Sequence, residues 1–331
     1  MKRIFSLALV SILSTSCLAQ QHPGAEEFAA RAAEEHGLDQ EQVMVLLHDA
    51  RFKQSIVDAI SRPAEAKPWF EYRPIFITDK RIRGGVEFWR DNAELVGQAA
   101  EEYGVDPQVI VAIIGVETFY GGNTGGYRVL DALTTLSFYY PNTGNDRSDF
   151  FSRELMQFLL LGSEENLPLR EVTGSYAGAM GLGQFMPSSY REYAVDLDKD
   201  GRRDLWSSMP DIIGSVANYL HRHGWEPGQP VAWSARVAQG ADMALVADRD
   251  YKANKGLAEL AAGGFSAADP RAADGIPDTA LATVARLEET DGDKYWLTFK
   301  NFYVITRYNR SPLYAMAVYE LSEAIRAGYG E

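Results

Sequence analysis

Along most of this chain apolar residues return every three or four positions, the spacing of helices that bury one face. Residues Ala25 to Arg62 read as short amphipathic helices, and Asp39 followed by Gln42 opens the second of them as a capping box. Pro63 to Pro74 reads as a breaker-rich connector carrying Trp69, Phe70 and Tyr72. From Thr78 to Tyr103 the helical period resumes, with Val86, Trp89, Leu95, Val96 and Ala99 turned inward. The next stretch, Pro107 to Glu117, is almost continuously Val and Ile, which alone would suit a buried strand. Its Asp-Pro start predicts a helix instead, with Asp106 as N-cap and Pro107 at the first helical position, buried on all sides. Gly121 to Gly126 forms a turn, and further helices follow at about 129–138, 148–162, 187–194 and 210–223. After Trp225 glycine, proline and short alternating segments predict a smaller, partly β or irregular insertion through 298, and 299–328 ends in another helix. The fold class is mainly α (α+β).

The N-terminus does not belong to this pattern. Met1-Lys2-Arg3 followed by the apolar run Ile4 to Leu13 and small residues is a secretory signal peptide, since a membrane span needs about 20 apolar residues. Two endings fit. Cys17 after Ser14-Thr15-Ser16 partly resembles a lipoprotein box and would give an outer-membrane lipid anchor. Cleavage after Ala19 would give a soluble periplasmic protein. Cys17 is the only cysteine, so the mature fold carries no disulfide.

Charge and composition narrow the partners. The formal net charge is −14, and no Lys/Arg cluster is long enough to hold a nucleic acid. With 17 Tyr, 15 Phe and 6 Trp, the aromatic rings serve either core packing or a groove that stacks flat ligands such as sugars.

Three segments can carry chemistry. Glu117 ends the apolar helix beside the glycine turn, where desolvation should favour a protonated carboxyl suited to glycosidic cleavage. Gly174 to Pro187 holds four glycines and two alanines through Gly183, which allow close backbone approach, while Ser175 and Gln184 supply hydrogen-bonding groups. Ser175 is not in a nucleophile elbow; it suits a group that orients or hydrogen-bonds a catalytic acid. Asp196, Asp198 and Asp200 followed by Gly201 reproduce the first half of an EF-hand calcium loop. Its twelfth position is Ser207, so Asp211 would have to close a longer loop. His221 and His223, two residues apart, make a poor metal pair, and the glycines at 121–126 lack the Gly-Lys-Ser/Thr of a phosphate loop.

Taken together these segments resemble the membrane-bound lytic murein transglycosylase B family, which has a lysozyme-like core. The resemblance is carried by Trp69 to Thr78, Ile113 to Gly121, Leu130 to Phe138, Gly174 to Tyr190, Asp211 to Tyr219 and Asn301 to Asn309, in order, over about residues 25–328. It implies a signal peptide at 1–19 and an N-terminal helical region at 20–70 that packs with the C-terminal helix of 299–331. A lysozyme-like catalytic core at 71–224 and a small β-containing subdomain at 225–298 complete the division. It implies Glu117 as catalytic acid and base, with Ser175 hydrogen-bonding it or the substrate acetamido group. Tyr72, Gln184, Tyr219, Tyr308, Asn309 and Tyr314 would hold the sugars, and Asp196, Asp198, Asp200 and Asp211 a structural calcium ion. The chemistry would need no cofactor, the substrate would be peptidoglycan glycan strands, and the protein would be a periplasmic monomer. Two departures stand out: one extra residue between Trp206 and Asp211, and a longer segment at 142–149 with a single Arg147 where the family commonly has two adjacent arginines. A hydrolytic muramidase or chitinase-like enzyme would need a second carboxylate to activate water. A non-catalytic peptidoglycan-binding protein would be expected to have lost the acid at 117.

Overall fold

The computed structural model describes residues 21–62, 67–142, 144, 146–277 and 279–330. The expected signal peptide, with Cys17 and Ala19, and the start of the expected connector lie outside these residues. Among the described residues no helix is long and apolar enough to cross a membrane.

The chain begins with α1 (Ala25–His36), α2 (Gln40–Asp49) and α3 (Gln54–Ile60). Asp39 caps α2 as expected, accepting the Gln42 amide at 3.0 Å. Where a connector was expected, α4 (Trp69–Phe76) forms, with Pro74 inside it. Burial overrides the proline: Trp69 and Tyr72 are both enclosed, and their transfer from water outweighs one lost backbone bond. The helical stretch from 78 to 103 is two helices, α5 (Asp79–Asp91) and α6 (Ala93–Tyr103), broken at Asn92. Thr78 caps the first of them, accepting from Arg81 N at 3.2 Å.

The central element is α7 (Pro107–Thr118), a helix as the Asp-Pro start predicts. Every residue from Val109 to Val116 is buried. A helix apolar all round is stable only when enclosed, and each buried Val or Ile stabilises it by about 1.5–3 kcal/mol. Asp106 stands at the N-cap, yet its carboxylate accepts Trp225 Nε1–H at 3.1 Å and makes no cap bond. That bond joins the start of α7 to the turn after residue 223. Burial pushes the Asp106 carboxyl up, against the opposing pull of this bond.

Next come β1 (Tyr127–Arg128), α8 (Val129–Phe138), α9 (Ser148–Glu164) and β2 (Thr173–Gly174), where β1 pairs antiparallel with β2. A polar stripe on α8 pins the N-terminal helices to the core. Buried Asp131 accepts Arg51 N at 2.9 Å, and Thr135 Oγ1 accepts Lys53 N at 3.2 Å. The segment after β2 leads into α10 (Pro187–Tyr193) and α11 (Met209–Arg222).

The expected β-containing insertion is a five-stranded antiparallel sheet of β3 (Ala232–Val237), β4 (Lys255–Gly256), β5 (Phe265–Ala267), β6 (Leu281–Glu289) and β7 (Gly292–Thr298), with the short α12 (Leu257–Ala262) against it. The strand order is β4-β6-β7-β3-β5. It encloses its own small core of Leu260, Phe265, Ala282, Val284, Leu297 and Phe299.

The C-terminal stretch is two helices, α13 (Lys300–Tyr308) and α14 (Pro312–Tyr329), interrupted at 309–311 because Ser311 caps the second. Expected beside the N-terminal region, α14 packs chiefly against α7 and α5, then α13 and α4, while α1 packs on α2, and α2 and α3 pack on α8. This position of α14 brings Tyr314 to the catalytic candidate.

Candidate active site

Glu117 is half-buried in the last turn of α7. Two consecutive residues after the helix, Phe119 and Tyr120, adopt left-handed backbone (φ 54° and 59°). Non-glycine residues held there cost about 1–3 kcal/mol each and persist only where the surroundings over-determine them. Here Tyr120 is locked by its ring, which fills the space left by Gly85 and Gly115. A Cβ on either glycine would lie 2.5 Å from the Tyr120 hydroxyl, which donates to Arg81 O at 2.9 Å.

Tyr314, from the first turn of α14, donates its phenolic proton to Glu117 Oε1 at 2.5 Å. Burial, the Glu117 charge and this bond together push the Tyr314 phenol well above its ordinary range, so it stays a neutral donor. Tyr308 is pushed the same way by burial and by Glu117. From Tyr314 a series of rings runs along one wall. Tyr308 lies nearly parallel to Tyr314 (centroids 6.4 Å apart), Tyr219 is 4.7 Å from Tyr308, and His223 stacks on Tyr219 at 4.2 Å. The phenols are anchored to backbone: Tyr308 donates to Gly183 O and Tyr219 to Arg307 O, both at 2.6 Å. Anchored rings hold their faces in fixed planes, which is what stacking on sugars requires.

The glycine-rich segment forms the adjoining wall. Gly174 has no room for a side chain, since a Cβ would fall 2.1 Å from Ala179 O. A Cβ on Gly181 (φ 69°) would fall 2.4 Å from Leu205 O. Gln184, itself left-handed (φ 51°), donates through Nε2 to Gly181 O at 2.9 Å and Thr124 O at 3.2 Å, and so ties this segment to the glycine turn after α7. Ser175, expected to hydrogen-bond Glu117 or the substrate acetamido group, accepts the Ala177 and Ala179 amides through Oγ at 3.3 and 3.1 Å, inside its own turn. Tyr72 is buried, stacked on Trp69 at 6.3 Å and close enough to Tyr314 to raise its phenol further. Asn309 is half-buried just past the end of α13. Glu117, Tyr314, Tyr308 and Tyr219 are therefore linked through a hydrogen bond and ring contacts, while Gln184 ties together the backbone of the adjoining wall.

Three participants have no counterpart among the sequence expectations. Tyr193 packs edge-on against Tyr219 at 4.8 Å and His223 stacks on it, which extends the ring series. Buried Thr118, next to Glu117, joins the end of its own helix to the glycine turn and to the glycine-rich wall. A Thr following a candidate acid is the only local signal that could have drawn attention to it.

The acidic loop brings three of the four expected aspartates together. Carboxylate oxygens of Asp196, Asp198 and Asp211 lie within 4.8 Å of one another. Asp196 accepts from Asp200 N and Gly201 N at 3.1 and 2.8 Å, with Gly201 left-handed (φ 90°). Asp211 is buried and accepts from Leu197 N and Asp204 N, both at 2.9 Å. Burial chiefly, and the nearby Asp198 charge, push its carboxyl up. Asp200 stands outside this trio: its carboxylate turns back to accept Arg202 N at 2.9 Å. The extra residue before Asp211 does not prevent that aspartate from closing the loop.

An acid at the end of a buried helix, hydrogen-bonded by a phenol and walled by anchored tyrosines on a mainly helical core, defines a lysozyme-like enzyme class. A family model, the transglycosylase SLT domain, matches residues 20–323. Membrane-bound lytic murein transglycosylase B of Escherichia coli K12 is 40% identical over 314 residues, 92% of this chain and 83% of that protein. The crystal structure of the soluble lytic transglycosylase SltB1 from Pseudomonas aeruginosa superposes with a TM-score of 0.84 at 49% identity, covering 93% of this chain and all of the other. Escherichia coli Slt35 in complex with calcium superposes at 0.81 with 39% identity, covering 94% and 95%. The chain belongs to the transglycosylase SLT domain family and is a lytic murein transglycosylase, a peptidoglycan-cleaving lyase.

Proposed function

We propose that Glu117 serves alone as acid and base in cutting the β-1,4 bond between N-acetylmuramic acid and N-acetylglucosamine. The observation that carries this reading is the 2.5 Å bond from Tyr314 to Glu117 beside the anchored tyrosines. The protonated Glu117 gives its proton to the glycosidic oxygen as the C1–O bond breaks. The substrate's own acetamido oxygen stabilises the cation forming at C1. The muramoyl C6 hydroxyl then attacks C1 and yields its proton to the Glu117 carboxylate, which regenerates the acid. The product is a 1,6-anhydromuramoyl end, with no water consumed. Tyr314 supports both halves: it orients the carboxyl and offers a neutral donor as charge develops on it. Tyr219, Tyr308, Gln184 and Asn309 hold the sugars, Tyr72 backs the wall, and Ser175 rigidifies the glycine-rich turn that faces the substrate.

The acidic trio fits calcium, a hard cation that takes carboxylate and carbonyl oxygens. Asp196, Asp198 and Asp211 would hold it, and the ion's charge would relieve their mutual repulsion and make the loop rigid. The Slt35 complex with calcium supports this assignment. The enzyme would work in the periplasm as a monomer in cell-wall turnover, freed after Ala19 or tethered at Cys17. The longer segment at 142–149, with Arg147 lying over Phe150 and Phe151, would change how stem peptides are met.

Digestion of purified peptidoglycan sacculi, with products read by mass spectrometry, tests the reaction. Muropeptides about one water lighter than hydrolysis products, absent with Glu117→Gln, are expected. Reducing-end products would mean a hydrolase with a second carboxylate.

A further inference from the structure

We infer that Thr118 is a positioning residue that couples the turn carrying Glu117 to the acidic loop at 196–211. The inference rests on the reading of Glu117 as the catalytic acid.

Thr118 is 1% exposed, and three backbone groups surround its hydroxyl. Leu182 O lies at 3.0 Å, Ile114 O at 3.3 Å, and the Gly121 amide donates to Oγ1 from 3.1 Å. A hydroxyl has one proton. It donates best to the nearer carbonyl, Leu182 O, while accepting from Gly121. One small side chain thus joins the end of α7, the glycine turn that follows, and the glycine-rich wall. The bond to Gly121 also spans Phe119 and Tyr120, the two left-handed residues that must stay in place for Glu117 to keep its position.

The connection continues beyond Leu182. Its amide donates to Leu205 O at 2.8 Å. The neighbouring Asp204 amide donates to one carboxylate oxygen of Asp211, and the other takes the Leu197 amide. Leu182, Leu205 and Asp211 are all buried, so water does not compete for these bonds. Gly181 enforces the contact, because with no Cβ the two backbones can meet. The acidic loop therefore braces the glycine-rich wall, and Thr118 passes that brace to the residue beside Glu117. The threonine hydroxyl thus ties the helix end to a carbonyl from a segment 64 residues away.

The test uses the mature protein on sacculi, with kcat and KM measured for the native enzyme, Thr118→Ser and Thr118→Val, each assayed below its own melting temperature. Val keeps the shape and loses the hydroxyl; Ser keeps the hydroxyl. Thr118→Val is expected to lose roughly ten- to hundredfold in kcat, as a slight misplacement of the acid would cause, with KM nearly unchanged. Thr118→Ser should restore most of it. Amide exchange supplies a readout apart from activity: the Leu182 amide should exchange faster in Thr118→Val, and faster in the native protein in EGTA than in excess calcium. A Thr118→Val enzyme with native kcat, or a Ser variant as impaired as Val, overturns the positioning role. Leu182 exchange that is indifferent to both changes overturns the link to the loop. Failure of the Glu117 reading itself would be seen separately, as anhydro product formed by Glu117→Gln.

Discussion

Tyr314 donates to Oε1 of Glu117 across 2.5 Å although 197 residues separate them in the chain. Glu117 ends one buried helix and Tyr314 begins another, and the packing of α14 against α7 brings them together.

Removing that donor should slow the reaction more than it weakens binding. A hydrogen bond to a charged group contributes about 1.5–3 kcal/mol, so Tyr314→Phe should lose roughly ten- to hundredfold in kcat. Steady-state kinetics on sacculi check this. An unchanged kcat with a raised KM would assign Tyr314 to sugar binding instead.

Gly181 is expected to tolerate no side chain. Gly181→Ala places a Cβ 2.4 Å from Leu205 O at a left-handed φ of 69°, a substitution that destabilises by more than about 1 kcal/mol. Gly126→Ala, where nothing lies within 4 Å, is the control. Thermal melts should show a drop of several degrees for the first and little change for the second; equal melts would remove the close-approach argument.

Calcium should raise the melting temperature through three aspartates and not four. At a hundred times its dissociation constant a ligand stabilises the native state by about 2.7 kcal/mol. Melts in excess calcium and in EGTA should therefore differ for the native protein and for Asp200→Asn. They should coincide for Asp198→Asn and for Asp211→Asn. A shift lost in Asp200→Asn would return that residue to the ligand set.

Acid should weaken the attachment of the N-terminal helices through His22. Its ring accepts from the Tyr139 hydroxyl at 3.1 Å through Nδ1 and donates to Ala50 O at 3.2 Å through Nε2. Burial, the largest influence, holds its pKa below the ordinary 6.5. The folded form therefore disfavours the proton. The contribution is full above about pH 6.5 and is lost as pH falls from there through the lower folded value. Urea unfolding across this range should show stability declining toward acid, with a shallower decline in His22→Gln. Parallel declines would place the acid sensitivity elsewhere.

Much of the architecture is legible in the chain. Asp106-Pro107 resolves a Val/Ile run that periodicity leaves ambiguous, and α7 begins where that pair predicts. Element ends read less well. Trp69 to Phe76 is helical despite Pro74, and the stretches 78–103 and 299–328 are each two helices. Burial of Trp69 and Tyr72 decided the first, and Ser311, capping α14 from within 299–328, divides the last. Asp106 shows the same limit at one residue: it occupies the cap position, and the indole of Trp225, 119 residues away, takes its side chain.

By itself the sequence determined what local physics governs. These are helix periodicity, the proline and capping signals at helix starts, glycines where backbones must meet, an acid at the end of an apolar helix, and alternate aspartates before a glycine turn. Only the tertiary structure decided the partners. It gave Glu117 to Tyr314, joined Thr118 to the glycine-rich wall, confined Ser175 to its own turn and left Asp200 out of the acidic trio. Backbone preferences act over a few residues, whereas a hydrogen bond needs its atoms about 3 Å apart and aligned. Distances that short between remote segments exist only after apolar faces have packed.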